Sequence, residues 1–277
     1  MLATCLFVIL IAVTIGFLYK ADAHLEIDFL DVGQGDSILI KAPSGQNILI
    51  DGGPDKTVLR RLSENLPWWD RQIDLIILTH PHDDHVGGLI EVLKHYQVKR
   101  IVYSGVIHSS PAYINWLEQI KNKEIPLTII DRPQNINFSA DCKLQFIYPR
   151  KNLAGQSVAN LNNSSVITKL IYKKASALLV GDAEQEVENE MIDQKVNLSA
   201  QLLKVGHHGS DTASGEEFLN SVKPEIGIIQ VGVDNSFGHP SKRILKKLER
   251  ANVRVLRNDL DGTIKMISEG EKWQTIP

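Results

Sequence analysis

Thiols are almost absent from this chain, with two cysteines, Cys5 and Cys142, in 277 residues. Cys5 lies in an apolar leader, which argues against a disulfide framework and leaves any metal site to be built without thiolates. Charge of one sign is equally scarce. Thirty Lys and Arg against 33 Asp and Glu leave a formal net charge of −3. That excludes a protein that coats nucleic acid over its whole surface, but not one with a local basic patch. Short repeats and long low-complexity stretches are missing too. The length fits one large domain or two small ones, and 43% hydrophobic content supports a sizeable core.

Residues 1–19 contain no charged side chain. At a rise of about 1.5 Å per residue they fall just short of the ~30 Å hydrocarbon core, enough for one transmembrane helix. Ala21-Asp22-Ala23 also matches a secretory cleavage site, although no Lys or Arg precedes the apolar run. The last transmembrane helix of a larger channel protein, or a buried core helix, would read the same way. The expectation is a hydrophobic helix within residues 1–23 that serves as anchor or signal, with cleavage left open. Residues 24–277 then form the working domain, membrane-anchored or secreted and outside the cytoplasm.

Beyond the leader, short apolar runs alternate with turn signals and amphipathic helices. Strands are expected over 25–30, 37–41, 47–50, 75–78, 101–103, 127–130, 144–148, 166–172, 177–180, 201–205, 225–231, 253–256 and 263–267. Helices are expected over 56–64, 86–96, 111–121, 184–192, 215–222 and 241–251. Polar stretches at 134–140 and 151–163 read as loops too short to separate domains. Many strands with segregated helices predict two packed sheets with helices outside, a four-layer α/β architecture.

The apolar run Asp74–Leu78 ends in Thr79-His80-Pro81-His82-Asp83-Asp84-His85-Val86-Gly87-Gly88. Packing asks for no histidine at the end of a buried strand. Neutral imidazole and carboxylate are the ligands that a borderline divalent ion such as zinc prefers. A solvated His/Asp loop is the alternative, and the strand-to-helix setting favours the metal. Four other motifs share the pattern of a strand ending in a Gly-flanked polar residue: Asp51-Gly52-Gly53, Gly181-Asp182-Ala183-Glu184, Gly206-His207-His208-Gly209-Ser210 and Gly238-His239-Pro240. Six of nine histidines fall in these motifs. Strand ends are where α/β enzymes gather functional groups.

Together with Phe29-Leu30-Asp31-Val32-Gly33-Gln34-Gly35-Asp36, these motifs resemble the metallo-β-lactamase superfamily in type and order. Within it, the chain is most similar to the hydrolase domain of ComEC-type DNA-uptake proteins, over about residues 25–268. The resemblance implies an αββα sandwich holding two divalent ions, Zn²⁺ or Mn²⁺. It assigns His80 and His82 to one ion, Asp84 and His85 to the other, and Asp182 to a bridge. Of the pair His207/His208, His208 is preferred as the completing ligand, with His207 a proton donor or phosphate contact. Asp84, His207 and His239 take the catalytic roles, and Asp51 would hold a ligand imidazole in its tautomer. Asp83 reads as a helix cap or an exposed residue. Many relatives carry a further histidine upstream of the bridging aspartate. Here, as in the ComEC-like branch, that place reads Asn162-Asn163-Ser164-Ser165. One ion would then be leanly held, weak, water-rich or suited to Mn²⁺.

Asn163, Ser164, His207, Ser210 and His239 are donors suited to phosphate oxygens, which tilts the chemistry from acyl towards phosphoryl transfer. Glu184 joins Asp51, Asn163, Ser164 and Ser210 as a supporting or substrate-side residue. The segment Lys242–Arg250, with Arg254 and Arg257, has seven basic side chains against one glutamate. It could steer a polyanion, although a solvated amphipathic helix with Ile244, Leu245 and Leu248 inward looks the same. Three functions therefore compete. One is a membrane-associated phosphodiesterase or nuclease acting on DNA beside a competence channel protein. A second is a small-molecule phosphoester hydrolase, for example on phosphocholine esters, and a third is a non-catalytic module of a translocation complex. A basic groove beside the metals would favour DNA, and a narrow aromatic-lined pocket the small ester. Trp68 and Trp69 are candidates for such a pocket or for the core. His24, His95 and His108 read as surface or loop residues, although His108 could approach a substrate.

Overall fold

The computed structural model describes residues 24–276, so the hydrophobic segment expected within 1–23 lies outside the described residues. Among those described, no helix is long and apolar enough to cross a membrane. The first half runs β1 (Leu25–Phe29), β2 (Ile38–Lys41), β3 (Asn47–Ile50), α1 (Thr57–Asn65), β4 (Gln72–Ile73), β5 (Leu75–Ile77), α2 (Asp83–His95), β6 (Gln97–Val98), β7 (Ile101–Tyr103), α3 (Pro111–Asn122) and β8 (Leu127–Ile129). The second runs β9 (Gln134–Asn137), β10 (Cys142–Tyr148), β11 (Ile167–Tyr172), β12 (Ala175–Leu179), α4 (Gln185–Asp193), β13 (Leu202–Lys204), α5 (Glu216–Val222), β14 (Ile226–Ile229), α6 (Lys242–Arg250) and β15 (Arg254–Arg257). The short helix α7 (Asn258–Asp261) leads to β16 (Ile264–Ser268) and β17 (Gln274–Ile276), which return to the first sheet.

One sheet has the order β17-β16-β1-β2-β3-β5-β7-β8, the other β15-β14-β13-β12-β11-β10-β9. Successive side chains on a strand point to opposite faces. Ile48 and Ile50 therefore pack against Leu144, Phe146 and Leu179 between the sheets. Leu49 and Ile76 instead meet Val58, Leu62, Leu89 and Trp116 of the helices α1, α2 and α3. On the far side Leu178, Leu203 and Ile229 cover Val187, Phe218 and Leu248 of α4, α5 and α6. Burial on both faces explains why these strands read as unbroken apolar runs. The four-layer αββα expectation matches this architecture.

Several details differ from the sequence reading. Helix α2 begins at Asp83, three residues before the expected start, because His82 is the extended N-cap and two aspartates occupy the first turn. Carboxylates there interact favourably with the helix dipole. Asp83 is thus an exposed helical residue and not the cap. The presumed loop 134–140 contains β9, an edge strand paired to β10, whose half-exposed residues carry no apolar alternation. The two-stranded β4–β6 ladder and β17 were too short to be read. The β11–β12 hairpin turns through Lys173 and Lys174 alone, tighter than expected.

Helix α2 packs backbone to backbone on the loop after β3, where Gly52 N–H donates to His85 O and Gly88 N–H to Gly53 O, both at 2.8 Å. A Cβ at Gly88 would lie 1.9 Å from Gly52 O. Gly88→Ala should therefore cost about 3 kcal/mol, the upper range for overpacking. Urea unfolding checks this, and an unchanged midpoint would show that the helix can move aside.

Candidate metal centre

Asp51 follows β3, His80 follows β5, Asp182 follows β12 and the His207-His208 pair follows β13, so four strand ends deliver their side chains to one edge. Asp51, His207 and His208 sit in the left-handed backbone region at φ 57°, 48° and 53°. Such strain in non-glycine residues gathers at functional sites.

Asp51 is fully buried. Its carboxylate accepts the Thr79 backbone N–H at 2.8 Å and the Thr79 hydroxyl at 2.7 Å, and meets His85 Nδ1 at 2.8 Å. That contact turns His85 Nε2 inward, 3.3 Å from Asp182 Oδ2 and 3.9 Å from Asp84 Oδ1. From the other sheet, His208 Nδ1 meets Gln230 O at 2.9 Å. Its Nε2 lies 3.1 Å from Asp182 Oδ2 and 3.3 Å from Asp84 Oδ2. Both Nε2 atoms are buried without a hydrogen-bond partner.

Ligand-type atoms within 4.8 Å of one another occur in the groups His80/His85/Asp182, Asp84/His85/His208, Asp36/Asp182/His208 and Asp36/Asp51/His85. His82 touches the cluster through His80, with Nδ1 2.9 Å from His80 Nε2. Two inward-aimed orphan imidazole nitrogens beside carboxylates form a donor set that fits divalent cations.

The electrostatics agree. Burial alone would pull His85 and His208 down, but Asp182 beside them holds both well above the usual histidine range. Burial would likewise raise Asp182, yet His208, His85 and Lys204 hold it well below an ordinary carboxylate. Asp84 is also lowered, as His85 and His208 outweigh its burial. His80 goes the other way: burial, with His85 adjacent, pushes it well down. These carboxylates demand neighbouring positive charge, which a divalent ion meets.

Two further residues, Lys204 and Asp36, stand at the middle of the centre. Lys204 is fully buried at the end of β13. Its ammonium donates to Gly181 O at 2.8 Å, lies 3.3 Å from Asp182 Oδ1 and pairs closely with Asp36 Oδ2. Asp36 Oδ1 in turn lies 3.3 Å from His208 Nδ1. A lysine inside the apolar run Leu202-Leu203-Lys204-Val205 was the available signal, since a buried ammonium needs partners.

The polar turn 162–165 reverses an expectation. Asn163 and Ser164 do not reach the ligand cluster themselves: Asn163 Nδ2 donates to Glu186 at 2.8 Å while its Oδ1 accepts the Glu184 backbone N–H at 3.1 Å, and the Ser164 hydroxyl donates to Leu161 O at 2.6 Å. Asn162 and Ser165 face inward instead, three apart on a 3₁₀ turn where such residues eclipse. Asn162 Nδ2 stands 3.5 Å from the His207 ring nitrogens, and Ser165 Oγ stands 3.5 Å from His80 Nδ1. Ser210 is also one step removed, with its hydroxyl 3.0 Å from that of Thr212. It is Thr212 that reaches His207 Nδ1, at 3.2 Å. Glu184 meets the same nitrogen at 3.2 Å and accepts Asn162 Nδ2 at 3.1 Å. His207 Nε2 then faces Asp182 Oδ2 at 4.0 Å. His239 flanks it, with ring centroids 5.6 Å apart, outside the ligand groups.

The centre opens into a cleft of about 630 Å³ whose walls include Gln34, His82, Asp84, His108, His207 and Phe237. His108 is a loop residue, as expected, and it lines the cleft. Among the described residues no Lys or Arg lines it, and Phe237 is its one aromatic carbocycle. Among the described residues lining this cleft there is neither a basic groove nor a narrow aromatic-lined pocket. Trp68 and Trp69 are 79% and 62% exposed, which removes them from both cleft and core. Helix α6 is amphipathic, with Ile244 and Leu248 buried and Leu245 half-buried. Its start adjoins the centre, where Ser241 N–H donates to Gly209 O at 2.9 Å.

Behind the histidine loop, buried Glu188 accepts the backbone N–H groups of Ser214 at 2.6 Å and Gly215 at 2.9 Å. Burial pushes its carboxyl up to about 7. A folded-state pKa raised from the ordinary 4.5 means that this group's stabilisation is complete below pH 4.5 and is lost as pH rises through about 7. Glu188→Gln should remove that slope from the stability profile. Urea midpoints across this window provide the check, and parallel profiles in the two proteins would contradict it.

The protein belongs to the metallo-β-lactamase superfamily, whose profile matches residues 30–233. Within it the chain is of the ComEC type. It is 33% identical over 262 residues to ComE operon protein 3 of Bacillus subtilis, covering 87% of this chain and 32% of that protein. To competence protein ComA of Neisseria gonorrhoeae it is 26% identical over 242 residues, covering 85% and 31%. The chain therefore spans about a third of the length of these relatives. The metallo-β-lactamase fold protein YhfI of Bacillus subtilis shares the fold, with a TM-score of 0.54 over 91% of this chain and all of that one, at 10% identity.

Proposed function

We propose that this protein is a metal-dependent phosphodiesterase that cleaves DNA during uptake, tethered to a membrane through residues 1–23 and working outside the cytoplasm beside a competence channel. The observation that carries the metal-dependent part is the pair of orphan nitrogens, His85 Nε2 and His208 Nε2, aimed at Asp182 and Asp84 on the floor of an open cleft. The DNA part is supported by the competence proteins among its relatives.

His80 and His82 would hold one divalent ion and Asp84, His85 and His208 the other, with Asp182 shared between them. When bound, the two ions, Zn²⁺ or Mn²⁺, supply Lewis-acid activation of water and of the phosphoester. The remaining work falls to the chain. Asp51 fixes the His85 ring so that Nε2 faces inward. Glu184 engages His207 Nδ1, so that Nε2 can donate a proton to the departing alkoxide. His239 contacts the phosphate alongside it. Asn162 and Ser165 replace an upstream imidazole, which leaves the His80/His82 ion leanly coordinated and favours Mn²⁺ there.

The full chain, purified in detergent, should take up two divalent ions and cleave single-stranded DNA, duplex DNA or a chromogenic phosphodiester with Mn²⁺ or Zn²⁺ added. Turnover of a phosphocholine ester without any DNA cleavage would shift the reading to a small-molecule hydrolase. No metal uptake at all would leave a non-catalytic module.

A further inference from the structure

The two tryptophans released from the cleft form an exposed feature of their own. Trp68 and Trp69 stand edge to face with ring centroids 5.5 Å apart. Among the described residues only Leu260 at 71%, Val233 at 69% and the cleft residue Phe237 at 68% show comparable exposure, and none of them is paired with a second large apolar side chain as Trp68 and Trp69 are. Their loop is firmly seated on both sides. Glu26, Lys41 and Asn47 form one row across β1, β2 and β3. Lys41 Nζ donates to Asn65 O at 3.1 Å just before the loop, and Asn47 Nδ2 donates to Asp70 at 2.8 Å just after it.

The same row is where the chain enters the domain. Lys41 Nζ also pairs with Glu26 at 2.7 Å, and the nineteen uncharged residues lie shortly upstream of Glu26. The cleft is at the opposite pole: Asn47 opens β3 and Asp51 follows its end, a separation of about 13 Å at ~3.3 Å per residue. Cations follow the indoles along the paired strands β4 and β6. Arg71 lies over the Tyr96 ring, and Lys99 and Arg100 are exposed just past β6. The acidic groups there are engaged, Asp74 by Lys99 at 2.8 Å and by Asn47 N–H at 2.9 Å, and Asp70 by Asn47.

Indoles carry a large apolar body with one polar N–H, and they concentrate at the boundary between lipid headgroups and acyl chains. Cations beside them add attraction to anionic lipid. We propose that the Pro67–Trp69 loop is an interfacial foot that sets both indoles into the membrane to which residues 1–19 tether the chain. A single tether would leave the domain free to swivel. A second contact at the entry pole orients it with the cleft towards water, where a polymer can reach it. The inference rests on the membrane tether and is independent of the hydrolase chemistry.

The chain contains four tryptophans, and the other two, Trp116 and Trp273, are buried. Intrinsic fluorescence therefore reports on the loop. The full chain should be reconstituted into phosphatidylcholine/phosphatidylglycerol vesicles and assessed by flotation and by tryptophan quenching. The expected result is flotation with a blue-shifted emission, quenching by brominated acyl chains and protection from acrylamide. The W68S/W69S double variant should still float and retain hydrolase activity but lose the bromine quenching. If the parent chain floats while its indoles stay open to acrylamide and untouched by bromine, the foot is overturned and the tether stands. If it does not float, both are overturned.

Discussion

Asp182→Ala is expected to abolish metal-dependent hydrolysis, with a loss well beyond the roughly ten- to hundredfold typical of residues that only orient a ligand. Its Oδ2 is the atom that His85 and His208 approach, at 3.3 and 3.1 Å, from opposite halves of the chain. Removing it deprives both proposed ions of their shared oxygen, so metal content should fall together with turnover. Metal analysis separates this from a local chemical defect. Full activity in the variant would sink the shared-carboxylate reading.

Lys204→Met should produce the largest loss of stability. The ammonium is wholly buried between Asp36 and Asp182, and its pKa is raised because those carboxylates outweigh burial. Breaking a buried ion pair by removing one partner typically costs about 3–5 kcal/mol, since the other charge is left uncompensated. Saturating Mn²⁺ or Zn²⁺ should restore part of that loss, because an ion that binds only the folded state stabilises it by mass action. Urea denaturation with chelator and with metal tests both statements. A loss below about 1 kcal/mol with chelator present would put Lys204 in the class of exposed pairs.

The layers and the histidine cluster were legible because they rest on local pattern. Apolar runs closed by glycine announced His80, His82, His85, Asp182 and His208 before any contact was known. Asp36 and Lys204 were not legible, since each has meaning only through the other, and Asp36 lies in the loop before β2 while Lys204 ends β13 of the other sheet. The choice of Asn163 and Ser164 over Asn162 and Ser165 failed for another reason. Four consecutive polar residues carry no phase, and the turn is anchored by partners distant in sequence, with Val166 N–H donating to Thr79 O and Asp182 N–H to Ser165 Oγ. Trp68 and Trp69 misled because large apolar side chains are ordinarily buried.

The centre is assembled from two halves of the chain. His80, His82, Asp84 and His85 adjoin the first sheet, while Asp182 and His208 close strands of the second. A growing polypeptide that has emerged only as far as α3 carries four candidate ligands and no shared oxygen. On the proposed assignment, hydrolysis would await synthesis of the His207-His208 loop, and a chain terminated before it would leave the shared carboxylate of Asp182 or its His208 partner missing.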